Sequence, residues 1–263
     1  MPVARASALI ATIFLCDACA NESPRDVVLK YEIVATHPHD VASFTQGLLW
    51  HEGKLLESTG GYGRSELALR DIASGAPLLR HKMLPSQFGE GAASDGRRFV
   101  QLTWLSGVAL IYDFALKPVG RFDYVGQGWG LAYDGSQWLM SNGSSRIARR
   151  ARDTFAVQDS FEVRHRNRPI AALNELEFAR GYLYANVWHT DRIAVIDPAS
   201  GAVEAWLDLS ALKQGFVKPP GWQPQEHVLN GVAFDPGSGH FFVTGKCWPV
   251  LFELRVKGAP HKP

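Results

Sequence analysis

Cysteine is scarce in this chain of 263 residues, which contains only Cys16, Cys19 and Cys247. The first two lie in an N-terminal segment that resembles an export leader, so the mature protein keeps one cysteine. A single cysteine cannot form an internal disulfide, and it offers no cysteine-based zinc site. The stability of the folded chain must therefore come from its apolar core.

An excess of charge of one sign is also absent. Lysine and arginine number 27 and the acidic residues 26, which gives a formal net charge of +1. Phosphate binding needs clustered basic residues, so a nucleic-acid partner is excluded. The one basic cluster, at residues 146–152, is interpreted as a solvated strand face. A hydrophobic fraction of 46% is ordinary for a folded globular protein.

Long hydrophobic runs are missing too. Near the N-terminus, residues 6–16 form an uncharged, mostly apolar stretch of 11 residues, and a membrane-spanning helix needs about 20. It follows Arg5 and precedes Ala18-Cys19-Ala20, a small-residue cleavage pattern. We therefore predict a signal peptide at residues 1–20 and a periplasmic or secreted protein with no membrane span. A lipoprotein anchor on Cys19 is the less favoured alternative, because the residues before it fit a lipobox poorly.

Several catalytic motifs and convincing amphipathic helices are lacking as well. The sequence has no Gly-x-Ser-x-Gly elbow, no Walker A loop and no His-Glu-x-x-His pair. The fragment His37-Pro-His39-Asp40 resembles part of a metal site. Because nine histidines are scattered along the chain, we interpret that fragment as a surface turn.

What the sequence does contain is a repeat. Five segments begin with a polar or aromatic residue, continue with a small or acidic residue and an apolar pair, and then enter a tight turn. Their first two residues are Gln46-Gly47, Glu90-Gly91, Trp129-Gly130, Asn174-Glu175 and Asn230-Gly231. Turns of this kind join antiparallel hairpins, and further short strands follow each hairpin.

Units of 39–56 residues with four short strands each are typical of β-propeller blades. We predict an all-β fold, a five-bladed β-propeller that forms one catalytic domain over residues 21–263. The last unit lacks a fourth strand, so residues 28–36 are expected to complete that blade and close the ring. The longest spacing places an insertion at residues 210–228, which is expected to form a loop beside a site.

Polar and aromatic side chains recur at equivalent places in this repeat, where a propeller directs them toward one axis. Ends of the second strands are predicted at Glu57, Trp104, Asn142, Trp188 and Lys246, around one mouth of the channel. Together with the strand starts they predict a pocket with apolar walls and a few convergent polar groups. For any single tryptophan, the alternative is ordinary core packing.

Glu57 is the main candidate for proton transfer. A carboxyl group beside indoles loses solvation, which raises its pKa and suits it to acid–base chemistry near neutral pH. The alternative interpretation is a surface glutamate at the end of a strand.

Eight ordered motifs resemble those of one enzyme family, the plant-type glutaminyl-peptide cyclotransferases, in their bacterial branch. The motifs are Phe44-Thr-Gln-Gly-Leu48, Leu56-Glu-Ser-Thr-Gly-Gly-Tyr-Gly-Arg-Ser65, Phe88-Gly-Glu-Gly91, Gly128-Trp-Gly-Leu131, Leu173-Asn-Glu-Leu-Glu177, Asn186-Val-Trp-His-Thr-Asp191, Leu229-Asn-Gly-Val232 and Thr244-Gly-Lys-Cys-Trp-Pro249. The resemblance implies a five-bladed propeller that converts the N-terminal glutamine of peptides or proteins to pyroglutamate and releases ammonia.

The resemblance also implies roles for individual residues. Glu57 is the expected general acid and base, and Asn174 and Lys246 are the expected hydrogen-bonding and cationic groups. The substrate is expected to contact the following residues: Gln46, Glu90, Trp104, Trp129, Glu175, Trp188 and Asn230.

No step of that reaction demands a metal or another cofactor, although a structural cation in the central channel would be compatible with the fold. Two alternatives remain: a metal-dependent propeller hydrolase similar to a lactonase, and a non-catalytic propeller that binds exported proteins. A closed ring needs no partner subunit, so a monomer is expected.

Overall fold

The computed structural model describes Met1 and residues 26–262, so the predicted signal peptide lies almost entirely outside the described residues. The described chain is all-β, and its only helix is a short 3-10 helix, η1, at Ser210–Gln214. No helix in this part of the chain has the length and apolar character needed to cross a membrane.

Three four-stranded antiparallel sheets follow one another along the chain. The first contains β2 (Thr45–His51), β3 (Lys54–Thr59), β4 (Glu66–Arg70) and β5 (Pro77–Lys82). The second contains β6 (Gly89–Ser94), β7 (Phe99–Thr103), β8 (Val108–Tyr112) and β9 (Pro118–Asp123). The third contains β10 (Leu131–Tyr133), β11 (Gln137–Met140), β12 (Arg146–Ala151) and β13 (Val157–Glu162).

The remaining strands form a two-stranded ribbon and one eight-stranded sheet. The ribbon, which the repeat did not predict, contains β14 (Arg164–His165) and β15 (Arg168–Pro169). The large sheet contains β16 (Leu173–Ala179), β17 (Tyr182–Val187), β18 (Arg192–Ile196), β19 (Val203–Asp208), β20 (Leu229–Phe234), β21 (Phe241–Gly245), β22 (Val250–Lys257) and β1 (Val28–Pro38). Its strand order is β16-β17-β18-β19-β1-β22-β21-β20.

β1 joins the two ends of the described chain. It pairs antiparallel with β22 from Lys30 opposite Lys257 to Pro38 opposite Val250. Its first residues also pair in parallel with β19, which links the two halves of the large sheet.

The first strands of the five repeat units lie against one another in a cyclic order. β2 contacts β6, β6 contacts β10, β10 contacts β16, β16 contacts β20, and β20 contacts β2. The glycines of the repeat permit this close approach. A Cβ atom on Gly47 would lie 2.5 Å from the backbone nitrogen of Ala92, and one on Gly130 would lie 2.0 Å from the carbonyl oxygen of Asn174. Any side chain there would force the strands apart.

The apolar core is divided into five clusters, each between two neighbouring groups of strands. Leu56 and Leu67 of the first sheet, for example, pack with Phe99 and Tyr112 of the second. Face-to-face packing of successive sheets therefore buries the alternate apolar residues of each strand. Burial of these side chains supplies the stability that the missing disulfides do not.

Candidate functional site

A cavity of about 580 Å³ opens at one end of the inner strands. Its walls contain seven of the ten predicted site residues: Gln46, Glu90, Trp104, Trp129, Asn174, Trp188 and Lys246. The other lining residues are Phe44, Arg64, Phe88, Gln223, Glu226, His227 and Cys247. The structure thus brings together side chains that are up to 200 positions apart in the sequence.

The repeat explains how these residues meet. Gln46, Glu90 and Asn174 are the second residues of β2, β6 and β16. Trp104, directly after β7, donates its backbone N–H to the carbonyl of Phe88, and Lys246, directly after β21, donates in the same way to Val228. In each case the acceptor lies two residues before the polar residue of the inner strand. The residues that follow the second strands therefore lie at the same end of the fold as the polar residues of the inner strands.

Glu57 does not lie where the sequence argument placed it. In the first repeat unit, the backbone N–H that bonds to the carbonyl of Phe44 belongs to Gly60. The residue equivalent to Trp104 is therefore Gly60, and the assignment of Glu57 to the mouth was three positions out of register. Glu57 is fully buried and does not line the cavity.

Glu57 instead belongs to a buried network of charges. Its carboxylate lies 2.5 Å from Nε of Arg70 and 2.9 Å from Nε2 of His39, and it accepts a hydrogen bond from Oγ1 of Thr45 at 2.7 Å. Burial alone would raise the pKa of Glu57, but His39, Arg70 and Thr45 together lower it to about 2. The expectation of a raised pKa beside indoles is wrong, because the ionised form is the stabilised one.

Three further expectations change in the structure. His39 is part of this network with its side chain buried, so the surface-turn interpretation of residues 37–40 fails for it. Asn142 is exposed and caps a local turn by accepting from Ser144. Glu175 and Asn230 are buried next to the cavity but do not line it.

Glu175 and Asn230 join inner strands to one another. The two carboxyl oxygens of Glu175 accept hydrogen bonds from the backbone N–H groups of Leu48, at 3.2 Å, and Val232, at 2.9 Å. Asn230 donates to the carbonyl of Thr45 at 2.9 Å and to Oε1 of Gln46 at 3.2 Å. Both residues therefore support the cavity wall from behind. Across the described residues, no three histidine, cysteine, aspartate or glutamate side chains form a group that could hold a metal ion.

Glu90, unlike Glu57, does face the cavity. It is 4% exposed, and its Oε1 accepts a hydrogen bond from Nε2 of Gln46 at 3.1 Å. Burial raises the pKa of Glu90 well above its usual value, and the nearby charge of Lys246 opposes this only in part. Burial therefore favours the protonated form of this carboxyl group, which is the form that an acid catalyst needs.

Lys246 is a buried cationic residue of the cavity wall, which also contains Arg64. Burial lowers its pKa to about 8, while Glu90 and Glu226 act in the opposite direction. Its ammonium group lies 4.6 Å from the ring centroid of Phe44 and 5.8 Å from that of Trp188. These rings hold the ammonium group in an apolar setting, where its field is stronger than in water.

Asn174 offers an unused hydrogen-bond acceptor. Its side chain is almost fully buried, and Oδ1 has no partner within the described chain. A buried amide oxygen without a partner is costly. The atom is therefore suited to accept an N–H group from a ligand in the cavity.

The three indoles form a fixed apolar wall. Trp129 and Trp188 meet edge to face with ring centroids 5.4 Å apart. The indole N–H groups of Trp104 and Trp129 both donate to Oε1 of Gln127 at 2.9 Å. Gln127 thus orients two of the three rings, although no sequence pattern singles it out.

Several lining residues were missed for identifiable reasons. Phe44 and Phe88 stand two positions before Gln46 and Glu90, so the repeat itself could have found them. Gln223, Glu226 and His227 come from the insertion, which has no counterpart in the other units. No periodic signal in the sequence identifies those three.

Comparison with known proteins identifies the family. The family model for glutamine cyclotransferase matches residues 7–256. The chain is 40% identical over 236 residues to glutaminyl-peptide cyclotransferase from Arabidopsis thaliana, which covers 89% of this chain and 73% of that protein. It superposes on the crystal structure of glutaminyl cyclase from Myxococcus xanthus with a TM-score of 0.81, at 38% identity over 88% of this chain and 98% of that one. The chain therefore belongs to the glutamine cyclotransferase family.

Proposed function

We propose that the protein is a glutaminyl-peptide cyclotransferase that converts an N-terminal glutamine of a peptide or protein to pyroglutamate and releases ammonia. The observation that carries this proposal is the buried Glu90 carboxyl group, which shares one indole-walled cavity with Lys246 and Asn174. The family named above supplies the substrate class.

The reaction needs no second substrate. The α-amine nitrogen of the glutamine attacks the carbon of its own side-chain amide, and a tetrahedral intermediate forms. The bond from that carbon to the amide nitrogen then breaks, and a five-membered lactam and ammonia result. The amine loses one proton and the leaving nitrogen gains one, so the enzyme must relay a proton and hold the folded-back conformer.

Glu90, rather than Glu57, is the proposed proton relay. A protonated carboxyl group presents a donor on one oxygen and an acceptor on the other. It can therefore give its proton to the leaving nitrogen while it accepts one from the attacking amine, and it ends the cycle in its starting form. Gln46 donates to one of these oxygens and so fixes the rotation of the carboxyl group.

Lys246 and Asn174 are proposed to bind the polar ends of the substrate. The ammonium group of Lys246 stabilises the negative charge that develops on the amide oxygen. The free Oδ1 of Asn174 accepts an N–H bond from the α-amine and turns its lone pair toward the amide carbon. Trp104, Trp129 and Trp188 exclude water around the reacting atoms.

We further propose that the fold is a five-bladed propeller closed by β1. The cyclic contacts among the five inner strands support this proposal, as do the five core clusters and the pairing of β1 with β22. A signal peptide at residues 1–20 and export of residues 21–263 as a single monomeric domain complete the proposal. The proposed signal peptide rests on the leader pattern in the sequence. The proposed single domain rests on the contacts that join all five inner strands.

The experiment is ammonia release from a glutamine-initiated dipeptide in the presence of a chelator. We expect turnover by the wild type and a loss of about 10²-fold or more in kcat for Glu90→Gln, which cannot relay a proton. Glu52→Gln, in the exposed turn after β2, is the matched control and should keep full activity. An asparagine-initiated dipeptide should release no ammonia, because its ring would have only four members.

Two results would contradict the proposal. Loss of wild-type activity with the chelator would favour a metal-dependent hydrolase. Full activity of Glu90→Gln would remove Glu90 from the proton relay.

A further inference from the structure

The buried network of Glu57, His39, Arg70 and Thr45 has no role in the proposed chemistry, although burying its charged groups costs free energy. It places one carboxylate, one guanidinium and one imidazole out of contact with water. Well-packed apolar side chains often stabilise a fold as well as a buried ion network does. What such a network supplies, and apolar packing does not, is a set of directional contacts.

One set of contacts leads from Glu57 to Glu90. Thr45 donates to Glu57 Oε1 at 2.7 Å, and Ser43 donates to Oε2 at 3.3 Å. These two bonds fix the backbone directly before Gln46. Gln46 in turn donates to Glu90 at 3.1 Å, so the position of the carboxyl group in the cavity depends on this segment.

A second set of contacts leads from Glu57 to Lys246. His39 lies between them: Nε2 bonds to Glu57 at 2.9 Å, and Nδ1 bonds to the carbonyl of Trp248 at 2.7 Å. The backbone N–H of Cys247 donates to the carbonyl of Ser43 at 2.8 Å. The turn that carries Lys246 is therefore bound both to His39 and to the segment that Glu57 holds.

The same turn contains a backbone conformation that needs such support. Cys247, the residue after Lys246, has a positive φ of 58°, which costs free energy for a residue with a side chain. The contacts of His39 and Ser43 surround this residue on both sides. Without them, the turn would be free to relax to a more common conformation and carry Lys246 with it.

We infer that Glu57, with His39 and Arg70, is a positioning residue that holds Gln46 and Lys246 on either side of Glu90. This inference rests on the proposed function and extends it to residues that do not touch the substrate. Arg70 balances the charge of Glu57 and also donates to Ser43 Oγ at 3.0 Å, so it fixes the same segment. The network thus sets the distance between the proton relay and the cation.

The test compares Glu57→Gln with Asp95→Asn. Asp95 is also a buried carboxylate with an arginine partner, Arg152 at 3.1 Å, but it lies in the turn between β6 and β7, outside the cavity. Both substitutions are expected to lower stability. Glu57→Gln alone should lower kcat, by about tenfold to a hundredfold, with KM changed less than about threefold, because misplaced reacting groups affect the transition state.

A second pair of variants covers the case in which Glu57→Gln does not fold. Thr45→Val removes one donor to Glu57 and keeps the shape of the side chain, and Thr45→Ser retains the hydroxyl group. The expected result is a fall of about tenfold in kcat for Thr45→Val and near wild-type kcat for Thr45→Ser. Circular dichroism checks that each variant is folded at the assay temperature.

Wild type and Glu90→Gln are assayed beside these variants. Inactive wild-type protein would contradict the proposed function itself. An active wild type, an impaired Glu90→Gln and an unchanged kcat in folded Glu57→Gln would overturn the positioning role alone. A raised KM with unchanged kcat in Glu57→Gln would also overturn the positioning role. So would a loss of kcat in Asp95→Asn equal to that in Glu57→Gln. If Glu57→Gln does not fold, wild-type kcat in Thr45→Val overturns it.

Discussion

At the scale of single residues, Glu90 and Lys246 shape each other's titration. Burial favours the neutral form of both, and the charge of each opposes the pKa shift of the other, with Glu226 acting on Lys246 as well. Two groups coupled in this way titrate as a pair. The proposed reaction needs Glu90 as the protonated acid, which burial favours, and Lys246 as the ammonium ion, which the neighbouring acidic groups favour.

The pH dependence of kcat follows from Lys246. With a pKa of about 8, Lys246 loses its positive charge as pH rises through that value. This loss removes the charge that is proposed to stabilise the developing oxyanion, so kcat is expected to fall above about pH 8. The measurement is kcat at saturating dipeptide from pH 6 to 10, with circular dichroism at each pH as the control for folding. A kcat that rises steadily to pH 10 would contradict the assigned protonation states.

At the scale of secondary-structure elements, the inner strands meet more closely than side chains allow. Four of the five repeat units have glycine at the second position of the motif: Gly47, Gly91, Gly130 and Gly231. The fifth has Glu175, whose carboxyl group accepts hydrogen bonds from the backbone of two other inner strands. At Gly47, Gly91 and Gly130 the absence of a side chain is therefore a requirement of strand approach, whereas Gly231 has a positive φ of 117°.

Gly130→Ala tests this requirement. The new Cβ atom would lie 2.0 Å from the carbonyl oxygen of Asn174, so the strands must shift, at a cost of about 1–3 kcal/mol in the free energy of unfolding. Gly120→Ala on β9 is the control, because its Cβ atom would meet only Ile111, at 3.6 Å. That change should stay within about 0.5 kcal/mol. Urea unfolding measures both, and equal effects would mean that the approach of the strands does not constrain position 130.

At the scale of the whole molecule, Glu175 links three groups of strands across the centre. It stands on β16 and accepts N–H groups from β2 and β20. Burial raises its pKa to about 8, although these two bonds act in the opposite direction. Part of the stability of the molecule therefore depends on a proton held at its centre.

The sign of the resulting pH effect can be worked out. Between its usual pKa of 4.5 and the raised value of about 8, Glu175 holds a proton in the folded chain and releases it on unfolding. The unfolding free energy therefore falls as pH rises through this window. In Glu175→Gln the slope should be less steep by up to about 1.4 kcal/mol per pH unit. Urea unfolding at pH 5, 6 and 7 measures the slopes, with the exposed Glu204→Gln as control. Identical slopes in wild type and Glu175→Gln would show that position 175 carries no such proton.

Much of this protein was determined by the sequence alone. The spacing of the repeat predicted an all-β chain and the alignment of Gln46, Glu90 and Asn174 on one end of the fold. Such patterns are local, because the alternation of apolar residues, the turn residues and the glycines depend only on the strands and turns of each unit. The ordered motifs also predicted the family, which the comparisons confirm.

Only the tertiary structure decided that Glu90, and not Glu57, faces the cavity. The local sequence around Glu57 and around Glu90 predicts a strand in both cases. The two differ in what surrounds them: Arg70, His39 and Thr45 lower the pKa of the buried Glu57, whereas burial raises the pKa of Glu90 in the cavity. A pKa is the sum of burial and neighbouring charges, and those neighbours come together only when separate strands pack. For the same reason, the sequence did not predict that Gln223, Glu226 and His227 line the cavity. They belong to the insertion, which has no counterpart in the other repeat units.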